Sequence, residues 1–182
     1  MRAYPLASVV VLLAQASCVV AGPPRAGGPD ARGAGAGDAT APAGRERARA
    51  AAGSPADGPA DERAGELASL VNAHRLARGC EPLRWSPDLA AVAASHSVAM
   101  RDEGFFGHVD PEGRDASVRV RGAGITSWRL VAENLALTPR APAEVLGMWL
   151  DSPGHRGNIE NCALRDHGVG RAGGYWTHLF TG

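Results

Sequence analysis

Lysine is missing from all 182 residues, so every basic side chain other than histidine is an arginine. Genomic base composition accounts for that better than selection for guanidinium chemistry, and no function is read from it. Net charge is missing as well. Nineteen arginines face 19 acidic residues, which removes the electrostatic case for nucleic acid or an anionic membrane surface as a partner. No long hydrophobic run is present: Leu6–Ala14 falls well short of the roughly 20 residues that span a bilayer. Neither G-x-S-x-G nor H-E-x-x-H occurs, so the common activated serine and zinc-protease motifs are excluded. Finally, no aromatic residue and no Leu, Ile or Val lies between Gly22 and Asp61.

Each of these gaps helps to divide the chain. Arg2, the short apolar run and the small residues after it have the layout of a secretory leader over residues 1–21, outside the fold. Val19-Val20-Ala21 offers a cleavage site before Gly22. Ala16-Ser17-Cys18 offers another, in which Cys18 is lipidated, although Gln15 stands where lipoprotein signals usually carry Leu. Both routes export the protein, as a secreted or periplasmic species or as one anchored at the cell envelope through Cys18. Residues 22–61 cannot bury enough apolar surface to offset the entropy of ordering them, and read as a disordered Gly/Ala/Pro-rich linker whose role is reach. The folded domain is residues 62–182. Of three cysteines, Cys18 leaves with the leader or carries the lipid. An oxidising compartment then favours a bridge between Cys80 and Cys162, closing a loop of roughly 80 residues and contributing about 4 kcal/mol in the chain-entropy model.

Within the domain, Leu67, Leu70, Val71 and His74 mark one helical face that Gly79 ends. Ser86-Pro87-Asp88 starts a second helix with Leu89, Val92, Ala93, His96 and Met100 inward, ending at Gly104. A short helix spans Asp115 to Arg121. A fourth runs from Pro142 to Leu150 with Val145, Met148 and Trp149 inward, and Pro153-Gly154 breaks it just before His155. Val169 and Tyr175 to Phe180 alternate around Gly173-Gly174 and predict a β-hairpin. Helices first and strands last indicate an α+β fold. Gly168-Val169-Gly170-Arg171-Ala172-Gly173 spells a dinucleotide fingerprint, but a strand follows where a helix is needed.

Three side chains carry chemistry at chain breaks: His108, Glu133 and His155. Two imidazoles and a carboxylate suit metal ligation or proton transfer. His74 and His96 read as core or boundary residues, His178 as a residue that faces either the core or the cleft, and Trp85, Trp149 and Trp176 as core. Arg156 reads either as the partner of a carboxylate across the turn or as solvated.

The ordered set Leu70-Val71-Asn72-x-His74-Arg75, Gly79-Cys80, Pro82-Leu83-Arg84-Trp85, Ala93-x-x-His96-Ser97-x-x-Met100, Phe106-Gly107-His108, Ala132-Glu133-Asn134-Leu135, Trp149-x-x-Ser152-Pro153-Gly154-His155-Arg156-x-Asn158-Ile159, Asn161-Cys162, Gly168-Val169-Gly170 and Tyr175-Trp176-Thr177 resembles the bacterial branch of the CAP superfamily, the SCP-like extracellular domain. The resemblance implies a three-layer α-β-α sandwich around a small central antiparallel sheet, and a cleft with a His/Glu/Glu/His tetrad. His108, Glu133 and His155 match three of its members. The second Glu has no clear counterpart; Asp151, two residues after Trp149, is the candidate substitute. The resemblance also implies a divalent ion (zinc or magnesium) held by His108, His155 and Glu133.

Three functions remain open from sequence. The first is a non-catalytic extracellular recognition module for a small-molecule, lipid or cell-wall ligand. The second is a metal-dependent hydrolase using His108, Glu133 and His155. The third is a structural spacer in which the trio fixes loops. None of the three involves nucleic acid, and only an N-terminal lipid would bring in a membrane.

Overall fold

The computed structural model describes residues 19–21 and 61–182. The leader up to Cys18, with its expected lipidation, and linker residues 22–60, with their expected disorder, lie outside the described residues. The described residues form five helices and five strands, and local signals account for the start of most of the helices. Helix α1 (Glu62–Ala77) starts at Asp61, whose carboxylate accepts from the Arg63 and Ala64 amides. Helix α2 (Pro87–Glu103) has Ser86 as cap, bonded to the Leu89 amide, and ends at Gly104 with φ 71°. Helix α3 (Ala116–Gly122) is capped by Asp115, and α4 spans Pro142–Asp151. No helix of the described residues is long and apolar enough to cross a membrane.

Chain order then departs from the sequence reading at His155. The backbone turns extended at Ser152 (ψ 118°), and Pro153 opens a further helix, α5 (Pro153–Ile159). Proline suits a first helical turn because its missing N–H has no partner there anyway. His155 is therefore a helical residue and not a loop residue.

The strands are β1 (Val19–Ala21), β2 (Arg84–Trp85), β3 (Leu130–Leu137), β4 (Asp166–Ala172) and β5 (Tyr175–Thr181), in the sheet order β1-β3-β5-β4-β2. The expected β4–β5 hairpin forms, with Gly173 at φ 59° in its turn. The sheet is mixed where a purely antiparallel one was expected, because β2 runs parallel to β4. Everything from α2 to α5 lies between those two strands, ample chain for the crossover that a parallel pair needs. Strand β1 pairs antiparallel with β3, Val19 opposite Ala132. The last three residues of the stretch read as a leader outside the fold thus sit at the sheet edge.

Helices cover both sheet faces. On one, Val131 and Leu179 pack with Leu89 and Ala93 of α2 and with Ala116 and Val120 of α3. On the other, Ala132, Ala136, Trp176 and Phe180 pack with Leu67 and Val71 of α1, Val145 and Trp149 of α4 and Ile159 of α5. The result is an α+β domain, helices around a small central sheet. Gly168 and Gly170 make the α2 side work: a Cβ on Gly170 would sit 2.6 Å from the Ala93 carbonyl carbon, and one on Gly168 2.7 Å from the Ala90 Cα. The glycine motif is a contact for a helix backbone, and nucleotide chemistry has no part in it.

Cys80 and Cys162 are joined, with Cα atoms 5.1 Å apart. Beside them is a residue the sequence pattern misplaced. The α1 stripe runs Ala64, Leu67, Ala68, Val71, Arg75, so Arg75 is buried while His74 sits half-exposed against Glu160 at 2.9 Å. The Arg75 guanidinium donates to the carbonyls of Glu81, Ile159, Asn161 and Leu164 at 2.7–3.2 Å. A helix, the disulfide loop and the approach to β4 are clamped together there.

Candidate functional site

Glu133 lies in the middle of β3 and is completely buried. Alternation along the strand puts it on the α2/α3 face with Val131. An ionised carboxylate in that position requires partners for both oxygens. His108, in the loop after α2, supplies one: its Nδ1 donates to Oε1 at 2.8 Å. Arg119 of α3 supplies the other, Nη2 donating to Oε2 at 2.7 Å. The same guanidinium donates through Nη1 to the carbonyls of His108 (3.0 Å) and Arg114 (2.7 Å), so one side chain holds strand, loop and helix in register.

Two further groups border this set. Burial pushes the Asp110 carboxyl upward, but the amide and guanidinium of Arg114 and the charge of Arg119 outweigh it and hold it below the ordinary range. His96 of α2 is pushed down, chiefly by burial, with Glu133 opposing and Arg119 assisting. Its Nε2 donates to the Gly107 carbonyl at 3.0 Å.

On the α5 side, Asn158 donates to Asn134 Oδ1 (2.9 Å) and to the Glu133 carbonyl (3.3 Å), and Asn134 donates to the His155 carbonyl (3.1 Å). Trp149 Nε1 donates to the Leu135 carbonyl at 2.9 Å. Helices α4 and α5 are thereby keyed to β3.

His108 and Glu133 are in contact. His155 is buried and joined to β3 through its backbone, and Asp151 is exposed at the last position of α4. Among the described residues, no group of three or more His, Cys, Asp and Glu side chains could hold a metal ion. Each Glu133 oxygen is already engaged, one by a cation. As placed, these residues do not fit a three-ligand zinc centre.

Several readings of single residues change. His178 faces the core on the α1/α4 side, its Nε2 lying 3.1 Å from His167 Nδ1. Its opposite strand neighbour is Asn134 and not Glu133, which decides the face. Trp149 and Trp176 are core, Trp85 is half-buried, and Trp128 fills the α2/α3 side. Met148, Leu70 and Val92 are half-buried. Arg156 is exposed and donates to the Leu150 carbonyl across the α4–α5 break. Arg119 escaped sequence reasoning altogether; its only signal is a place one turn after the Asp115 cap.

Comparison with known proteins matches this arrangement. A family model for CAP, the cysteine-rich secretory protein family, covers residues 68–180. The chain belongs to this family. It is 33% identical over 144 residues to the uncharacterized protein YkwD of Bacillus subtilis, covering 78% of this chain and 55% of YkwD. It is 32% identical over 116 residues to the uncharacterized membrane protein YlbC of the same organism, covering 63% of this chain and 33% of YlbC. The chain therefore spans between a third and about half of those two relatives. Among solved structures, it is similar to an extracellular SCP-domain protein from Bacillus anthracis, with a TM-score of 0.64, 27% identity, and 69% and 45% of the two chains covered. An outer surface protein from Borrelia burgdorferi shares the fold, with a TM-score of 0.61, 20% identity, and coverage of 68% and 94%.

Proposed function

We propose that this CAP domain is exported and works outside the cytoplasm as a non-catalytic ligand-recognition module, either free or anchored at the envelope through Cys18. The single observation that carries this is the state of Glu133. Both oxygens accept from His108 and Arg119 and the side chain is fully buried, so the most buried carboxylate of the candidate set orients an imidazole and a guanidinium and is shut away from any substrate. The disulfide and the extracellular description of the Bacillus anthracis protein support the location. Residues 22–60 supply reach between an anchor and the domain.

The test is binding of purified residues 19–182 to isolated cell envelopes, with and without EDTA. Saturable, EDTA-insensitive binding without turnover of envelope material is expected. Release of soluble fragments that stops on chelation would overturn the reading in favour of the hydrolase. One atom bears on a weaker, single-residue contact with an ion in the absence of a three-ligand group among the described residues: His108 Nε2 is buried without a hydrogen-bond partner while Nδ1 meets a carboxylate. Zinc suits imidazole better than magnesium does. Elemental analysis of the protein beside a His108→Ala/His155→Ala variant tests it, and equal zinc in both would refute it.

A further inference from the structure

We infer that the groove between α2 and α3 binds an acetamido sugar. This rests on the reading of the domain as an extracellular recognition module and names the ligand class for a surface outside the residues matched to the family cleft. The groove encloses about 690 Å³. Asp88, Val92, Ser95 and Ala99 rise along its α2 wall at helical spacing, and Val118 and Gly122 face them from α3. Small residues leave the volume open, but a stripe of small residues does not make a site.

Two buried polar side chains do. His96 is 2% exposed and Arg119 8% exposed, both line the groove, and each carries one nitrogen without a hydrogen-bond partner: His96 Nδ1 and Arg119 Nε. Their polarity follows from their other bonds. The Gly107 carbonyl can only accept, so His96 Nε2 carries the ring proton. Burial keeps the ring neutral, which leaves Nδ1 as a bare acceptor. Arg119 Nε–H is a bare donor, since its other nitrogens serve Glu133, His108 and Arg114.

The groove thus asks for one donor, one acceptor and a small apolar group against Val92, Ala99 and Val118. A planar acetamido group presents all three: N–H to His96 Nδ1, C=O to Arg119 Nε, and a methyl to the alanine and valine surface. The sugar hydroxyls then meet Ser95 and Asp88 at the open side. A plain hydroxyl can satisfy either nitrogen but leaves the apolar wall wet, and a fatty acyl chain satisfies neither. Both orphan nitrogens are themselves buried, so the lining must move for the ligand to reach them. Satisfying two otherwise unpaired groups is the compensation.

Titration of ¹⁵N-labelled residues 19–182 with N-acetylglucosamine, its β-1,4 tetramer, glucosamine and glucose tests this. A saturable shift of Ser95, Ala99 and Val118 amides and of the His96 Nδ1 resonance is expected with the two acetylated probes. At least a tenfold weaker response is expected from glucosamine and glucose. Ala91→Phe, on the exposed rim, should abolish the response while leaving the fold spectrum intact. Equal responses to all four probes, or none to the acetylated ones up to their solubility, would overturn the inference. Envelope binding that persists unchanged in Ala91→Phe would also overturn it, while leaving the recognition-module reading standing.

Discussion

Lowering the pH from 7 to 5 should cost this domain a large part of its stability, because two histidines are buried where they cannot be charged. His167 of β4 and His178 of β5 share one hydrogen bond at 3.1 Å and are walled by Trp149, Trp85 and Phe180. Burial, with the Arg75 charge behind it and Asp166 opposing, pushes His167 down to about 4. His178 is pushed well below its ordinary value, first by burial and then by His167 and Arg75. An unfolded histidine titrates near 6.5 and takes up a proton that the folded one refuses. Stability from this pair is therefore complete above pH 6.5 and drains away as pH falls from 6.5 toward about 4. At pH 5 the loss from His167 alone is about 2 kcal/mol, at about 1.4 kcal/mol per pH unit below 6.5. His178 and His96 act in the same direction. Lowered carboxylates such as Asp110 and Asp115 add to the loss only nearer pH 4 and below. Urea unfolding followed by tryptophan fluorescence at pH 7.5, 6.5, 5.5 and 5.0 measures the slope. A His167→Leu/His178→Phe variant should flatten it. A wild-type curve that does not change between pH 7.5 and 5 would refute the account of a proton-refusing pair.

Gly170→Ala should destabilise by about 3 kcal/mol or more, since the new methyl meets helix backbone that cannot rotate away; thermal melting of the variant checks this. Arg119→Ala should cost about 3–5 kcal/mol by leaving the Glu133 charge buried and half-paired, and Arg119→Met with Glu133→Leu should recover much of it; recovery no better than the single variant would show that the pair does more than satisfy itself. Opening the Cys80–Cys162 bridge, which links residues 82 apart, should cost about 4 kcal/mol, read as a lower urea midpoint in dithiothreitol.

The helices were legible because their signals are local. Ser86 caps α2 and Gly104 closes it, each acting within a turn of its own position, and the Leu67–Val71 stripe repeats along α1; the Asp61 cap of α1, assigned to the linker by composition, was missed. The hairpin was legible from alternation, and the bridge from export and a count of cysteines. Family motifs in order supplied the layering. Strand β3 was hidden, because burial on both faces erases the alternation a strand reading depends on, and the charged and amide residues in its centre look like a loop. Helix α5 was hidden because Pro153 reads equally as an ending and as a beginning; only the extended Ser152 before it decides.

His108 and Glu133 could be nominated from residue type, but what they do depends on Arg119, which reaches them only once α3 packs beside β3. The same holds for the His167–His178 pair and for the bare nitrogens of the groove. Sequence alone determined which segments coil, turn and cross-link, since backbone propensity and capping are properties of neighbours along the chain. Which polar groups are paired, which are left asking for a partner, and which face of β3 carries the carboxylate were decided by packing, because burial sets the worth of each charge and hydrogen bond only after distant elements close over it.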